Sequence, residues 1–141
     1  MKKILLIIVL LLCIGCNDKK ENDEVIKYRL NDNEKIVVEL KENSELHYSI
    51  NENFYITYKD DLYGSVSFIS QKQCEDIINT ENLEKIKEDE HGFSYKEDNY
   101  HYVYKEDKVC ILINAKELDN LNKILDNIDI RIEKEKKDEK N

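Results

Sequence analysis

The chain has 141 residues, which is the size of one ordinary domain rather than two. Its formal net charge is −9, so it lacks the basic surface by which proteins bind nucleic acid. Hydrophobic residues still make up 40% of the chain and nine residues are Tyr, which is enough to build a core and excludes a wholly disordered protein.

Residues 1–15 have the composition of a secretory signal peptide. Lys2 and Lys3 give a positively charged start, residues 4–15 are uncharged, and the chain becomes strongly polar from Asn17 onward. A membrane-spanning helix needs about twenty apolar residues, so this run is too short for a stable span. The sequence therefore predicts export followed by removal of residues 1–15. A plainly secreted protein or an uncleaved anchor is the alternative.

The junction at residues 13–16, Cys-Ile-Gly-Cys, resembles the lipobox of bacterial lipoproteins. In that family a diacylglyceryl group is attached to the cysteine that follows a small residue, and the chain is then cleaved before that cysteine. Gly15 and Cys16 match these two positions, whereas Cys13 stands where an aliphatic residue is usual. The resemblance implies lipidation of Cys16. Lipidation of Cys13 is the alternative, but two leucines precede it and neither is small.

The lipobox resemblance implies a tethered protein. Several acyl chains would hold it stably at the outer face of the bacterial cell membrane, whereas one chain binds only marginally. Residues 16–23 are then the lipidated cysteine and a polar tether, and residues 24–133 are the predicted single domain. Residues 134–141 form a charged tail without apolar residues. The membrane, through the lipid, is the expected partner, and an envelope protein is a further candidate.

The first half of the domain alternates apolar and polar residues. This period of two predicts half-buried strands, and the polar segments between them predict turns. Five short strands are expected in an antiparallel arrangement. They pass through Tyr28, Val38, Tyr48, Ile56 and Val66.

The pattern changes to a helical period after residue 69. Ser70 and Gln73 have the spacing of a capping box, which predicts a helix that begins there and turns Cys74 to one face with two isoleucines. A second short helical stretch is expected through Leu83 and Ile86. Alternation then returns and predicts three strands between residues 93 and 113, with hairpin turns at 96–99 and 105–108.

A strongly amphipathic helix is predicted near the end of the domain. Asn114 and Glu117 have the spacing of a cap, and the apolar residues that follow recur on one helical face over about fourteen residues. Leu121 and Leu125 are expected to lie against the sheet. Ile130 marks a final strand.

Together these elements predict an α+β domain. Two helices would cover one antiparallel sheet of about seven to nine strands, in the order five strands, helix, three strands, helix, strand. This order, with a Leu-rich helix before an Ile-x-Ile strand, is similar to that of PsbP/Mog1-like domains over roughly residues 45–132. That family includes surface lipoproteins and photosynthetic accessory proteins. Other lipoprotein folds with a curved sheet, such as cystatin-like ones, fit nearly as well.

Two cysteines remain in the domain after the lipobox is set aside, Cys74 and Cys110. An even pair in an exported domain favours a disulfide bond, which the predicted helix and central strand allow if the helix covers the face of Cys110. The alternative is a pair of buried free thiols that act as small apolar side chains.

No catalytic or metal-binding motif is recognisable in the sequence, and no cofactor is predicted. His47, His91 and His101 lack metal-ligand spacing with another His or Cys, and they are expected at the surface or at its rim. Acidic pairs are frequent, but they fall in turns and no calcium-binding loop pattern surrounds them.

The unusual local feature is a set of alternating tyrosines. Tyr100, Tyr102 and Tyr104 must share one face of their strand, and His101 and Val103 the other. Three Tyr on a solvent-facing surface would form an aromatic stripe suited to binding, and we expect such a stripe, partly covered by neighbours. The alternative is ordinary sheet preference with half-buried rings.

The resulting functional prediction is a non-enzymatic, membrane-anchored lipoprotein that binds a partner or has an accessory role in the cell envelope. A small secreted enzyme or an enzyme inhibitor is the alternative. The sequence separates the two only by the lack of a recognisable nucleophile, metal or cofactor motif.

Overall fold

The structure is a computed structural model that describes residues 24–41, 44–50 and 54–134. The predicted signal peptide, Cys16 and the tether lie outside the described residues, as does most of the predicted tail. Within the described ranges the chain forms strands and two helices. In chain order these are β1 (Glu24–Arg29), β2 (Glu34–Leu40), β3 (His47–Ile50), β4 (Phe54–Tyr58), β5 (Asp61–Phe68), α1 (Gln71–Ile78), β6 (Glu84–Glu88), β7 (Gly92–Lys96), β8 (Tyr100–Glu106), β9 (Val109–Ala115), α2 (Leu118–Asn127) and β10 (Ile128–Lys134).

The strands form two antiparallel sheets. The larger has the order β3-β4-β5-β9-β8-β7-β6, and the smaller has the order β1-β2-β10. The predicted α+β class with an antiparallel sheet and two helices is therefore confirmed, but the expectation of a single sheet is wrong. Alternation locates strands without identifying their partners, and β10 pairs with β2, for example through Ile130 and Val38, instead of joining the larger sheet.

The predicted second helical stretch is also wrong, because Leu83 lies just before the strand β6 and Ile86 lies within it. Lys85 pairs with Tyr95 and Lys87 pairs with Ser94, and the register shifts between these pairs at Ile86. Glu and Lys favour helices in isolation, but pairing with β7 overrides that preference here. Four strands therefore separate the helices, where three were predicted.

The capping box of α1 forms as predicted. The Ser70 hydroxyl accepts a hydrogen bond from the Gln73 backbone N–H at 3.1 Å, and the Gln73 side-chain oxygen accepts one from the Ser70 N–H at 3.0 Å. Both donors would otherwise lack a partner at the start of the helix, so the reciprocal pair fixes where α1 begins.

The second helix starts later than predicted and is ten residues long. Glu117 occupies the cap position without a side-chain cap hydrogen bond. Asn114 is not a cap because it belongs to β9, where it pairs with Ser65 and His101. Leu121 is fully buried against the sheet as predicted, whereas Leu125 is only half-buried.

Different elements pack on the two faces of the large sheet. One face packs against α2 and the small sheet, and their side chains form the main core. The opposite face packs against α1 in a smaller cluster that contains Phe93, Tyr95 and Val103. Gly64 lets α2 approach β5 closely, because a Cβ atom there would lie 2.5 Å from the Ile124 Cδ1 atom. The domain thus has three layers.

Candidate functional site

The three alternating tyrosines face the main core rather than solvent. Tyr102 and Tyr104 are only 6% and 5% exposed, and Tyr100 is half-buried. In β9 they pair with Ile113, Ile111 and Ala115, whose side chains lie on the same covered face. The predicted solvent-facing stripe is therefore wrong, because the small sheet and α2 cover this face. His101 and Val103 take the opposite face, as the alternation requires.

Burial of these rings requires partners for their hydroxyl groups, and the structure supplies carboxylates. The Tyr102 hydroxyl donates to both carboxylate oxygens of Asp89, at 2.8 and 2.9 Å. The Tyr104 hydroxyl donates to the Glu106 carboxylate. The polar ends of the two buried rings therefore reach the edge of the core, where they meet a row of acidic residues.

Asp89 is fixed in the turn between β6 and β7. Its Oδ1 atom accepts hydrogen bonds from the backbone N–H groups of His91 at 2.9 Å and Gly92 at 3.0 Å. Burial, the largest single effect, raises the pKa of Asp89, but the Tyr102 hydroxyl and these N–H groups together hold that pKa below its usual value. Asp89 is therefore an ionised carboxylate in a defined position.

Burial is also the main reason that the pKa values of Tyr102 and Tyr104 are raised, and the neighbouring carboxylates Asp89 and Glu106 raise them further. Both phenols therefore remain protonated donors at neutral pH. A phenol held protonated beside a carboxylate held ionised favours fixed hydrogen bonding over proton transfer.

Two adjoining clefts open beside Asp89, with volumes of about 220 and 610 Å³. Asp89, Tyr102 and Leu125 line both clefts, so we describe the two together as the Asp89 groove. The groove runs between the β6–β7 hairpin on one side and α2 with β10 on the other. The larger cleft lies within the size range of about 300–1,000 Å³ that is usual for ligand sites.

The Asp89 groove combines apolar and acidic side chains. Leu125 and Ile128 are half-buried within it, and Ile86 at one end is 41% exposed. Asp126 and Asp129 add two exposed carboxylates to that of Asp89, and the Asp129 carboxylate forms an ion pair with Arg131 at 2.6 Å. Lys87 and His91 are the basic side chains that line it, against three carboxylates, so the groove is acidic overall. Sequence reasoning missed this site because its walls come from separate elements.

The predicted disulfide bond is present in the structure between Cys74 of α1 and Cys110 of β9. Their Cα atoms are 6.2 Å apart, and the residues are 0% and 4% exposed. The bond lies in the smaller core cluster, so it ties α1 to the centre of the large sheet.

The three histidines lie apart from one another. His47 is exposed on β3, and His91 lies at the Asp89 groove with its ring 5.4 Å from that of Tyr104. His101 is half-buried, which fits the rim position that the sequence allowed, and its ring stacks on Tyr95 at 5.0 Å. Burial lowers the pKa of His101. No group of three or more His, Cys, Asp or Glu residues in the described ranges is arranged to hold a metal ion.

Comparison with known proteins gives no relative from which a role could be transferred. No protein-family model, curated protein or solved structure is significantly similar to the chain. The similarity to PsbP/Mog1-like domains therefore stays a prediction. Among the helices of the described residues, none has the length and apolar character needed to cross a membrane.

Proposed function

We propose that the chain is an exported bacterial lipoprotein, lipidated at Cys16, whose domain binds a partner at the outer face of the cell membrane. The observation that carries the export is the buried disulfide bond between Cys74 and Cys110. Structural disulfides persist in oxidising compartments and are rare in the reducing cytosol. The signal-peptide pattern of residues 1–15 and the lipobox resemblance support the same cellular location.

The anchor is tested by metabolic labelling with palmitate in a bacterial host. The full-length chain should incorporate label, and Cys16→Ser should abolish it because the thiol that forms the thioether is lost. Cys13→Ser is the matched control and should keep the label. Label that persists in Cys16→Ser would reject the assignment, and loss of label only in Cys13→Ser would move the site to Cys13.

The Asp89 groove supports binding rather than catalysis. Its central carboxylate and its two phenols are held in opposite, fixed protonation states, which suits recognition. The half-buried Leu125 and Ile128 offer apolar contacts beside the exposed carboxylate of Asp126. The partner of matching chemistry is a segment of an envelope protein that alternates apolar and basic side chains.

This binding role can be measured with a fluorescent peptide of alternating Lys and Leu. Asp126→Lys should weaken binding about tenfold, because it places a like charge at the groove and an unfavourable charge pair costs roughly 1–2 kcal/mol. Asp119→Lys, on the same helix but outside the groove, is the matched control and should leave the affinity nearly unchanged. Equal effects of the two changes would mean that the peptide follows overall charge and that the groove is not its site.

A further inference from the structure

A further cleft, with a volume of about 340 Å³, opens beside the central strands β5 and β9 of the large sheet. Three asparagines from three different elements line it: Asn99 from the β7–β8 turn, Asn114 from β9 and Asn120 from α2. We call this site the asparagine cleft. None of its lining residues lines the Asp89 groove, so the two sites are separate.

The three amide side chains are half-buried, and their hydrogen-bonding groups are available to a ligand. Within the described part of the chain, the side chains of Asn99, Asn114 and Asn120 make no hydrogen bond to protein. Each amide has two N–H donors and a carbonyl acceptor. The amide atoms also keep contact with solvent, so a ligand can pair with them without first breaking a hydrogen bond within the protein.

The other walls of the asparagine cleft are aromatic and polar without being strongly charged. Tyr55 and Tyr63 are half-buried and offer ring surface, and Ser65 adds a hydroxyl group. The charged lining residues are Lys116 and Glu117, which are both exposed and carry opposite charges. The lining is therefore neutral overall, which disfavours a strongly charged ligand such as a phosphate or a carboxylate.

We propose that the asparagine cleft binds a neutral saccharide. Saccharide hydroxyl groups both donate and accept hydrogen bonds, as the three amides do, and a sugar ring presents an apolar C–H face that can pack on Tyr55 or Tyr63. The volume lies near the lower end of the usual range for small-ligand sites, about 300–1,000 Å³, which suits a ligand of one or two sugar rings. This proposal is independent of the partner proposed for the Asp89 groove.

The test uses the full-length, isotope-labelled chain in detergent micelles and follows the side-chain amide resonances of asparagine by NMR. The probes are the neutral disaccharides cellobiose, maltose and diacetylchitobiose, with sialyllactose and trialanine as charged and peptide comparisons. At least one neutral disaccharide should shift the resonances of Asn99, Asn114 and Asn120. Asn99→Ala and Asn120→Ala should each weaken its binding several-fold, because each removes a hydrogen bond worth about 0.5–1.5 kcal/mol.

Asn79→Ala, which removes an exposed amide at the end of α1, is the matched control and should not change the affinity. Both test positions lie outside the strands, so the dispersion of the backbone spectrum verifies that each variant is folded. The proposal is overturned if no neutral disaccharide shifts these resonances. It is equally overturned if only sialyllactose or trialanine shifts them, or if the asparagine variants bind as tightly as the control.

Discussion

Asp89 and Tyr102 stabilise each other in opposite protonation states. Burial and the hydrogen bond raise the pKa of the phenol, and the same bond helps to lower that of the carboxyl group, so both groups resist a change of charge near neutral pH. The position of Asp89 also depends on the backbone N–H groups of His91 and Gly92. One side chain thereby connects the β6–β7 turn to the buried strand β8.

Asp89→Asn should reduce the dependence of stability on acid pH. A carboxyl group whose pKa is lower in the folded state stabilises the fold above its unfolded pKa, and this contribution is lost as the pH falls through the folded pKa. Urea unfolding between about pH 6 and about pH 2 should therefore show a smaller loss for Asp89→Asn than for the unchanged chain. Asp98→Asn, in the exposed β7–β8 turn, is the control and should follow the unchanged chain. If the unchanged chain and both variants lost the same free energy of unfolding as the pH falls, the role given to Asp89 would be contradicted.

The domain should lose stability in alkali because it buries three tyrosines, Tyr95, Tyr102 and Tyr104. Burial raises the pKa of Tyr95 to about 12, and burial with neighbouring carboxylates raises those of Tyr102 and Tyr104 further. A phenol with a raised folded pKa contributes stability that is fully present below its unfolded pKa, near 10, and is lost as the pH rises through the folded pKa. Stability should fall above about pH 10, and phenolate absorbance should reach its full value only on unfolding. Tyr95→Phe should reduce this alkaline loss.

Gly92→Ala should destabilise the domain through a direct overlap with the neighbouring strand. A Cβ atom at this position would overlap the backbone carbonyl of Val103, which cannot move without breaking the β7–β8 pairing. The expected cost in the free energy of unfolding is at least the roughly 1–3 kcal/mol seen for overpacked sites. Chemical unfolding measures it, and a cost near zero would show that β7 and β8 are not so closely packed at Gly92.

At the scale of elements, the sequence predicts most strands but not every boundary. The period of two locates β2, β8 and β9 even though three consecutive residues are buried in each, so that residues on both faces of these strands are covered. It fails for β6, whose residues are all exposed, so that no buried face imposes a pattern. Short strands at a sheet edge therefore escape detection when their residues favour helix.

The amphipathic pattern of α2 predicts its buried face but not how deeply each residue lies. Leu121 is fully buried, whereas Leu125 lies at the Asp89 groove and is half-buried. A helical wheel cannot make this distinction, because the depth depends on where the small sheet ends. The Asp89 groove could not be predicted either, because its residues come from separate elements and lie together only in the folded domain.

Leu121→Ala should lower the free energy of unfolding by about 2–5 kcal/mol, as is usual when a fully buried leucine is truncated. Leu125→Ala is the matched comparison on the same helix and should cost less, because its side chain is already partly exposed at the groove. Equilibrium unfolding in urea gives both values. A cost below about 1 kcal/mol for Leu121→Ala would mean that α2 is peripheral to the core.

At the scale of the whole molecule, the disulfide bond joins two layers, and the pairings of β2 with β10 and of β5 with β9 join segments that are distant in the chain. The disulfide bond links residues 36 positions apart and fastens α1 to the large sheet. The sequence leaves this bond open, since two buried thiols satisfy the same pattern, and only the packing of α1 over β9 brings the two sulfur atoms together. The division into two sheets is likewise decided by pairing and not by local pattern.

Removing the disulfide bond should cost about 3–4 kcal/mol by the chain-entropy relation for a loop of this length. The double change Cys74→Ala and Cys110→Ala is compared with the oxidised chain by urea unfolding. Dithiothreitol should lower the stability of the unchanged chain and leave that of the double variant unaltered. If reduction does not affect the stability of the unchanged chain, the bond contributes nothing to it.

Because β2 lies between β1 and β10, the small sheet can be completed only after the last strand of the domain is available. β2 lies near the beginning of the domain and β10 near its end, so the small sheet cannot close until residues 128–134 are present. Pairing between such distant segments forms late and slowly, because a long loop must close first. If the chain is exported as proposed and enters the membrane from its N-terminus onward, its small sheet can therefore be completed only after residues 128–134 have crossed.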